Sequence, residues 1–142
     1  MADLSPSQRE MIMKKKILIV DDDFSMRSLM EVVFEDEGYS ITLARDGNCA
    51  LKTLENGHFD IIITDVNMPR MNGIELFNNV KKLYPRIPVV FISGCDRKNL
   101  AEELLIEGAL HFFTKPINLN VLKSTIRNIL RNGDSESKIN IL

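Results

Sequence analysis

Five times along the chain a short apolar run gives way to an amphipathic segment, and that alternation limits the folds open to it more than any other feature. The runs are residues 17–20 (ILIV), 39–44 (YSITLA), 59–64 (FDIIIT), 89–92 (VVFI) and 111–114 (HFFT). The first, third and fourth are nearly all apolar, as strands covered on both faces of a parallel sheet must be. Between them, Met26, Leu29, Met30 and Val33 recur at i, i+3, i+4 and i+7, and Gly38 offers a left-handed stop. A shorter stripe of Ala50, Leu51 and Leu54 ends at Gly57, and one of Leu76, Phe77, Val80 and Leu83 runs up to Pro85. Leu100, Ala101, Leu104 and Leu105 form a fourth stripe, stopped by Gly108. Leu119, Leu122, Ile126 and Ile129 form the fifth, with Asn118 placed after Pro116 to cap it. Five β-α units in succession predict an α/β fold, because right-handed crossovers leave little besides a parallel sheet with helices on both faces. Ligands of such sheets bind beyond the carboxyl ends of the strands.

The chain has 142 residues, enough for one domain with a real hydrophobic core. The alternation predicts that domain over residues 14–132, with residues 1–13 an N-terminal extension and 133–142 a polar-rich C-terminal tail. At 44% hydrophobic and 27% charged, the composition is that of a soluble globular protein. A net charge of −2 argues against nucleic acid as the main partner, and Lys14, Lys15 and Lys16 read as the solvated entry to a strand. Cys49 and Cys95 stand far apart in no metal-like pattern, which suits free thiols in a reducing compartment. The first 16 residues contain no continuous apolar stretch of a signal peptide, and no run approaches the roughly 20 residues that span a bilayer. A cytoplasmic protein without membrane insertion is expected.

The chemistry stands at the strand ends. Strand one runs into Asp21, Asp22 and Asp23; strand three into Asp65; strand four into Ser93; strand five into Lys115 and Pro116. Several carboxylates, one hydroxyl and one ammonium therefore meet at one edge of the sheet. Carboxylates this crowded repel one another by roughly 1 kcal/mol per pair even near water. A hard divalent cation removes that repulsion: Mg²⁺ takes oxygen ligands, keeps several waters, and needs only two or three carboxylates and a carbonyl. Without metal, the same crowding is expected to raise at least one carboxyl pKa. A carboxylate nucleophile beside a cation, a lysine and a hydroxyl has the parts for phosphoryl transfer, with Asp65 the best nucleophile from its central strand and Asp21 and Asp22 better placed around metal.

In order and spacing, IVDDD, TDVNMPRMNG, FISG and FFTKP resemble the receiver domain of two-component response regulators, over about residues 14–132. The resemblance implies a flavodoxin-like, doubly wound (βα)5 fold with strand order 2-1-3-4-5. It makes Asp65 the phosphoacceptor, Asp22 a direct Mg²⁺ ligand, Asp21 a holder of metal through water, and the Asn67 backbone carbonyl a further ligand. Ser93 takes the place of the hydroxyl that moves to meet the phosphoryl group, Lys115 pairs with a phosphoryl oxygen, and the bond to Pro116 is cis. Phe112 stands at the switch aromatic, without the hydroxyl that a tyrosine would bring. The implied donor is a sensor histidine kinase or histidine phosphotransfer protein, and a change in the surface of the last two helices and strand five would reach an unknown downstream protein. Monomer and phosphorylation-dependent dimer both fit. With only a tail after the fifth helix, the chain looks like a single-domain receiver of the chemotaxis or phosphorelay type, or the receiver portion of a longer regulator.

Plainer readings compete at several positions. Asp23 reads first as a helix cap. Asn72-Gly73 reads as a turn that fixes the loop after Asp65, shaped also by Met68 and Pro69. Neither His58 nor His111 is placed for catalysis, and Phe112 divides between packing and switching. A phosphatase working through an aspartyl-phosphate, like those of the haloacid dehalogenase type, wants an acid two residues after the nucleophile, where Asn67 stands. A flavin or nucleotide binder wants a phosphate-cradling loop after strand one, and DDDFS is electrostatically hostile to one. Self-catalysed phosphorylation and dephosphorylation, with no other enzymatic activity, is the expectation.

Overall fold

A computed structural model of the chain describes residues 3–94 and 99–134. Its elements are α1 (Pro6–Met13), β1 (Lys16–Val20), α2 (Phe24–Asp36), β2 (Ser40–Ala44), α3 (Gly47–Glu55), β3 (Ile61–Thr64), α4 (Gly73–Leu83), β4 (Val89–Ser93), α5 (Leu100–Ile106), β5 (His111–Thr114) and α6 (Leu119–Asp134). The five strands form one parallel sheet in the order β2-β1-β3-β4-β5.

Burial follows place in the sheet. Every residue of β3 and β4, and residues 17–20 of β1, is buried, whereas the edge strands β2 and β5 are mostly half-exposed. That is why the three inner runs are almost purely apolar and the two outer ones are mixed. Alternate residues face opposite sides. Leu18, Val20, Ile62 and Phe91 pack with Ala50 and Leu54 of α3, Leu76, Phe77 and Val80 of α4, and Leu100 and Leu104 of α5. Ile17, Ile19, Ile61, Ile63, Val90 and Ile92 pack with Met30 and Phe34 of α2 and with Leu122, Ile126 and Leu130 of α6. Each fully buried side chain of this size contributes roughly 1.5–3 kcal/mol relative to exposure, so the two layers dominate the stability.

Helix ends follow local chemistry. The Asp23 carboxylate accepts the Ser25 N–H at 3.0 Å and starts α2. Asn118 accepts from the N–H groups of Asn120 and Val121 at 3.0 and 3.1 Å and starts α6. Gly38 and Gly108 end α2 and α5 with φ of +98° and +114°, where a side chain would be strained.

Several boundaries differ from the pattern-based expectation: β1 begins at Lys16, β2 begins at Ser40 and β4 ends at Ser93, each one residue from the end of its apolar run. Strand β3 starts at Ile61 rather than Phe59, because Asp60 exchanges hydrogen bonds with the Lys16 backbone through its own N–H (2.8 Å) and its carboxylate (2.8 Å). The last helix continues to Asp134. A helix also forms at Pro6–Met13, where apolar periodicity is absent; its start carries a capping box instead, with Gln8 Oε1 accepting the Ser5 N–H and Ser5 Oγ accepting the Gln8 N–H. Cys49 is a half-buried free thiol, and Cys95 lies outside the described residues.

Candidate functional site

The sheet's hydrogen-bond ladder runs on into the polar residues at its carboxyl edge. Asp21 N–H donates to Ala44 O at 3.1 Å, Asp65 N–H to Val20 O at 2.9 Å, and Lys115 N–H to Ser93 O at 3.0 Å. Val20 pairs with Thr64, so Asp21 and Asp65 leave adjacent strands at the same level. Parallel pairing with no register slip is what turns residues 44 positions apart into neighbours.

Lys115 Nζ lies 3.4 Å from Asp21 Oδ2 and 3.3 Å from Asp65 Oδ2. One carboxylate oxygen from each of Asp21, Asp22 and Asp65 falls within 4.8 Å of the others. Asp21 and Asp65 are nearly buried, at 4% and 8% exposure, while Asp22 is open to water. The other oxygens of the buried pair are held by backbone: Asp21 Oδ1 accepts the Asp23 N–H at 2.9 Å, and Asp65 Oδ1 accepts from Val66 at 2.7 Å and Asn67 at 3.3 Å. Arg27 Nη1 donates to the Asp21 carbonyl at 2.6 Å while its guanidinium sits over the Phe24 ring.

Electrostatics follow from this crowding. Burial pushes the Asp21 pKa above its usual range, the Asp65 carboxylate adds to the rise, and the Asp23 N–H and Lys115 work against it. Burial alone would lower the Lys115 pKa, but the Asp21 and Asp65 carboxylates outweigh it and raise the value. Asp21 is thus a raised carboxyl of the kind expected in the cluster, with burial a larger cause than the neighbouring carboxylate.

The donor set suits Mg²⁺. It consists of hard carboxylate oxygens, two fixed by backbone N–H groups and one solvated, which leaves room for the waters that this ion keeps.

Ser93 is fully buried at the end of β4 and pairs in register with Thr114, one residue before Lys115. Phe112 is half-buried, pairs with Phe91 across the β4–β5 ladder, and lies 6.1 Å from its ring; Phe91 in turn meets Phe77 edge-on at 5.4 Å. The Lys115–Pro116 peptide bond is cis. His58 pairs with Asp60 at 3.1 Å, His111 stacks on Phe113, and both are exposed away from the cluster. A cavity of about 570 Å³ opens at the opposite pole among Lys15, Phe59, Tyr84, Ile87, Ile129 and Leu130.

The loop after Asp65 is tightly built. Gly73 N–H donates to Val66 O at 2.8 Å, and a Cβ on Gly73 would overlap the Asp65 carbonyl. Asn72 and Glu75 close a capping box over α4. Asn72-Gly73 is therefore a helix start that doubles as a close backbone crossing, and Met68, nearly buried, anchors the loop in the core. Sequence reading passed over Asp46 and Arg70, which form an ion pair beside this loop at 3.5 Å. The available signal was Asp46 itself, an acid before Gly47 just past the end of β2, as Asp21 is just past β1.

A doubly wound parallel sheet with this acidic cluster and lysine at its carboxyl edge defines the class as a flavodoxin-like α/β domain with a polar site at the strand ends. The family model for the response regulator receiver domain matches residues 17–127, and the chain belongs to that family, as a receiver domain of two-component response regulators. It is 34% identical over 119 residues to the transcriptional regulatory protein ZraR of Escherichia coli K12, covering 84% of this chain and 27% of ZraR. The chain thus spans about a quarter of that relative's length. It is 31% identical to sporulation initiation phosphotransferase F of Bacillus subtilis, covering 84% of this chain and 96% of that protein. Its fold matches a CheY-like receiver domain from Methanospirillum hungatei with a TM-score of 0.82 at 30% identity, over 87% of this chain and 99% of the other. The response regulator TrrA of Thermotoga maritima, solved in complex with Mg²⁺-BeF, matches with a TM-score of 0.74 at 28% identity, over 81% and 98%. No helix among the described residues is long and apolar enough to cross a membrane.

Proposed function

We propose that Asp65 accepts a phosphoryl group from a phosphohistidine on a sensor histidine kinase or histidine phosphotransfer protein, and that the resulting aspartyl-phosphate switches a surface that binds a downstream protein in the cytoplasm. The observation that carries this reading is Lys115 Nζ between the Asp21 and Asp65 carboxylates, 3.4 and 3.3 Å away. Backbone N–H groups occupy Asp65 Oδ1, which leaves Oδ2 as the attacking atom. That oxygen bonds to phosphorus, the P–N bond of the donor breaks, and the imidazole leaves with the electron pair. Lys115 then trades its contact with the free carboxylate for one with a phosphoryl oxygen, a charge-assisted bond stronger than a neutral one. Asp21, Asp22, Asp65 and the Asn67 carbonyl would hold Mg²⁺. When bound, the ion supplies neutralisation of the charge on the phosphoryl oxygens.

The added phosphoryl brings about −1.5 to −2 charges and three acceptor oxygens. Ser93 moves its hydroxyl to meet them, and Phe112 turns into the space vacated, with Pro116 shaping the turn behind Lys115. The outward faces of α5, β5 and α6 change in consequence, a local charge biasing a two-state equilibrium. Near-complete switching needs about 5.5 kcal/mol of differential stabilisation. A second reading, onward transfer to another histidine, is favoured by the near full-length likeness to a protein named as a phosphotransferase.

The test is labelling by a small acyl phosphate with Mg²⁺. Wild-type protein takes up phosphate, and Asp65→Asn does not; labelling of Asp65→Asn at the wild-type rate would overturn the assignment. Return of the label to a histidine phosphotransfer protein distinguishes relay from terminal switch.

A further inference from the structure

The loop from Asp65 to Asn72 is held at both ends, by the β3 ladder and by the α4 cap, and by Met68 in the core, yet beyond Met68 it has a further anchor on another helix. Arg70 adopts φ of +66°, the left-handed region that a non-glycine residue avoids unless its surroundings impose it. Its guanidinium lies 3.5 Å from Asp46 Oδ2, with the Asp46 side chain only 6% exposed and the Arg70 side chain 70% exposed. Asp46 is itself fixed, because Oδ1 accepts the Cys49 N–H at 2.8 Å and caps α3. The next residues repeat the contact: a Cβ on Gly47 would lie 2.7 Å from Met71 Cγ and 2.9 Å from Met71 O, so Gly47 lets the loop seat directly on α3. Two consecutive residues of the loop thus rest on two consecutive residues at the start of α3, one pair through charge and one through close packing. Between this anchor and Asp65 lies Asn67.

We infer that the Asp46–Arg70 ion pair is a positioning contact for the metal site, holding the segment that carries Asn67 against the start of α3; this rests on the Mg²⁺ site proposed above. An exposed ion pair usually contributes little by itself. Here one partner is almost buried and already immobilised as a helix cap, so only the arginine must be ordered.

Position and charge predict opposite signs for one substitution. Arg70 lines a cleft of about 350 Å³ together with Asp22, Arg27, Arg45 and Asp46. Removing a cation beside an acidic site would, by Coulomb's law alone, strengthen Mg²⁺ binding. Loss of the anchor weakens it: groups bonded to metal ligands typically govern affinity by about tenfold to a hundredfold, and this contact, three residues from Asn67 and bonded to no ligand itself, falls below that range at about threefold to tenfold.

The experiment is calorimetric Mg²⁺ titration of the wild-type protein and of Arg70→Ala, Arg70→Lys, Asp46→Asn and the Asp46→Asn/Arg70→Ala double variant, with thermal unfolding to confirm the fold. Asp46→Asn keeps a side chain that caps equally well while deleting the ion pair. Arg70→Ala is expected to weaken Mg²⁺ binding about threefold to tenfold, Arg70→Lys to recover most of the loss, and the double variant to bind no worse than Asp46→Asn alone. Unchanged or tighter binding by Arg70→Ala, or additive losses in the double variant, would overturn the inference while leaving the metal site intact. Absence of Mg²⁺ uptake by the wild type would overturn the site and the inference together.

Discussion

Lys115 reaches across from the end of β5 to place its ammonium between Asp21 and Asp65, 94 and 50 residues away in the chain. One cation thereby satisfies two nearly buried carboxylates that would otherwise repel each other. Lys115→Met is expected to destabilise the metal-free protein by about 1–2 kcal/mol, a discounted figure because the lysine is a quarter exposed and its contacts are long. Urea unfolding with and without Mg²⁺ checks this, and the deficit should shrink when the ion is present.

Asp21 carries the opposite sign. Burial, aided by Asp65, raises its folded pKa above the ordinary value of 3.8. A group of that kind contributes fully below its unfolded pKa, and the contribution is lost as pH rises through the folded pKa. At pH 7 the ionised carboxylate therefore burdens the metal-free fold. Asp21→Asn is expected to raise the melting temperature at pH 7 by about 2–4 °C without Mg²⁺, the range that corresponds to roughly 1 kcal/mol. The gain should vanish towards pH 3, where the wild-type carboxyl is protonated, and reverse at pH 7 with saturating Mg²⁺. For Lys115, whose pKa is also raised, the stabilising contribution is complete below 10.5 and lost as pH climbs through the folded value.

Gly73 is required by space rather than by its own backbone angles. A methyl group there would overlap the Asp65 carbonyl, so α4 and the acceptor strand would have to part. Gly73→Ala is expected to cost about 2–3 kcal/mol by overpacking against backbone that cannot yield. The control is Gly38→Ala, where nothing lies within 4 Å and the penalty comes only from the positive φ. Denaturant midpoints for the two variants test the distinction.

Phe91 and Phe112 differ in what they can afford to lose. Phe91 is fully buried between Phe77 and Phe112, and Phe112 is half-exposed at the sheet edge. Phe91→Ala should cost about 3–5 kcal/mol and Phe112→Ala about 1–2 kcal/mol, in line with the apolar area each removes. If Phe112 is the switching aromatic, Phe112→Ala should also blunt the spectral change at α5, β5 and α6 when the protein is treated with Mg²⁺ and beryllium fluoride. An unaltered change would leave Phe112 a packing residue.

Much of this arrangement could be read before any coordinates. Apolar runs four to six residues long located all five strands, and the nearly all-apolar first, third and fourth read as covered on both faces, while their order in the sheet came from the family resemblance. Asp23 and Asn118 declared themselves as caps because capping is local chemistry within three residues. At the N-terminus a Ser5–Gln8 capping box starts α1 without the apolar stripe that marks the other helices, so periodicity gives no sign of it.

The linear chain determined which residues reach the carboxyl edge, since a parallel sheet sends every strand end the same way. It also determined the chemistry available there, three acids, a hydroxyl and a lysine. Tertiary structure alone decided that Asp21 and Asp65 share one ammonium, that Gly73 must slip beneath the Asp65 carbonyl, and that Asp46 grips Arg70. Those relations depend on register between strands and on differences of a few tenths of an ångström in how closely segments far apart in sequence approach one another. Periodicity reports which face a residue takes, but only packing sets how closely two faces meet.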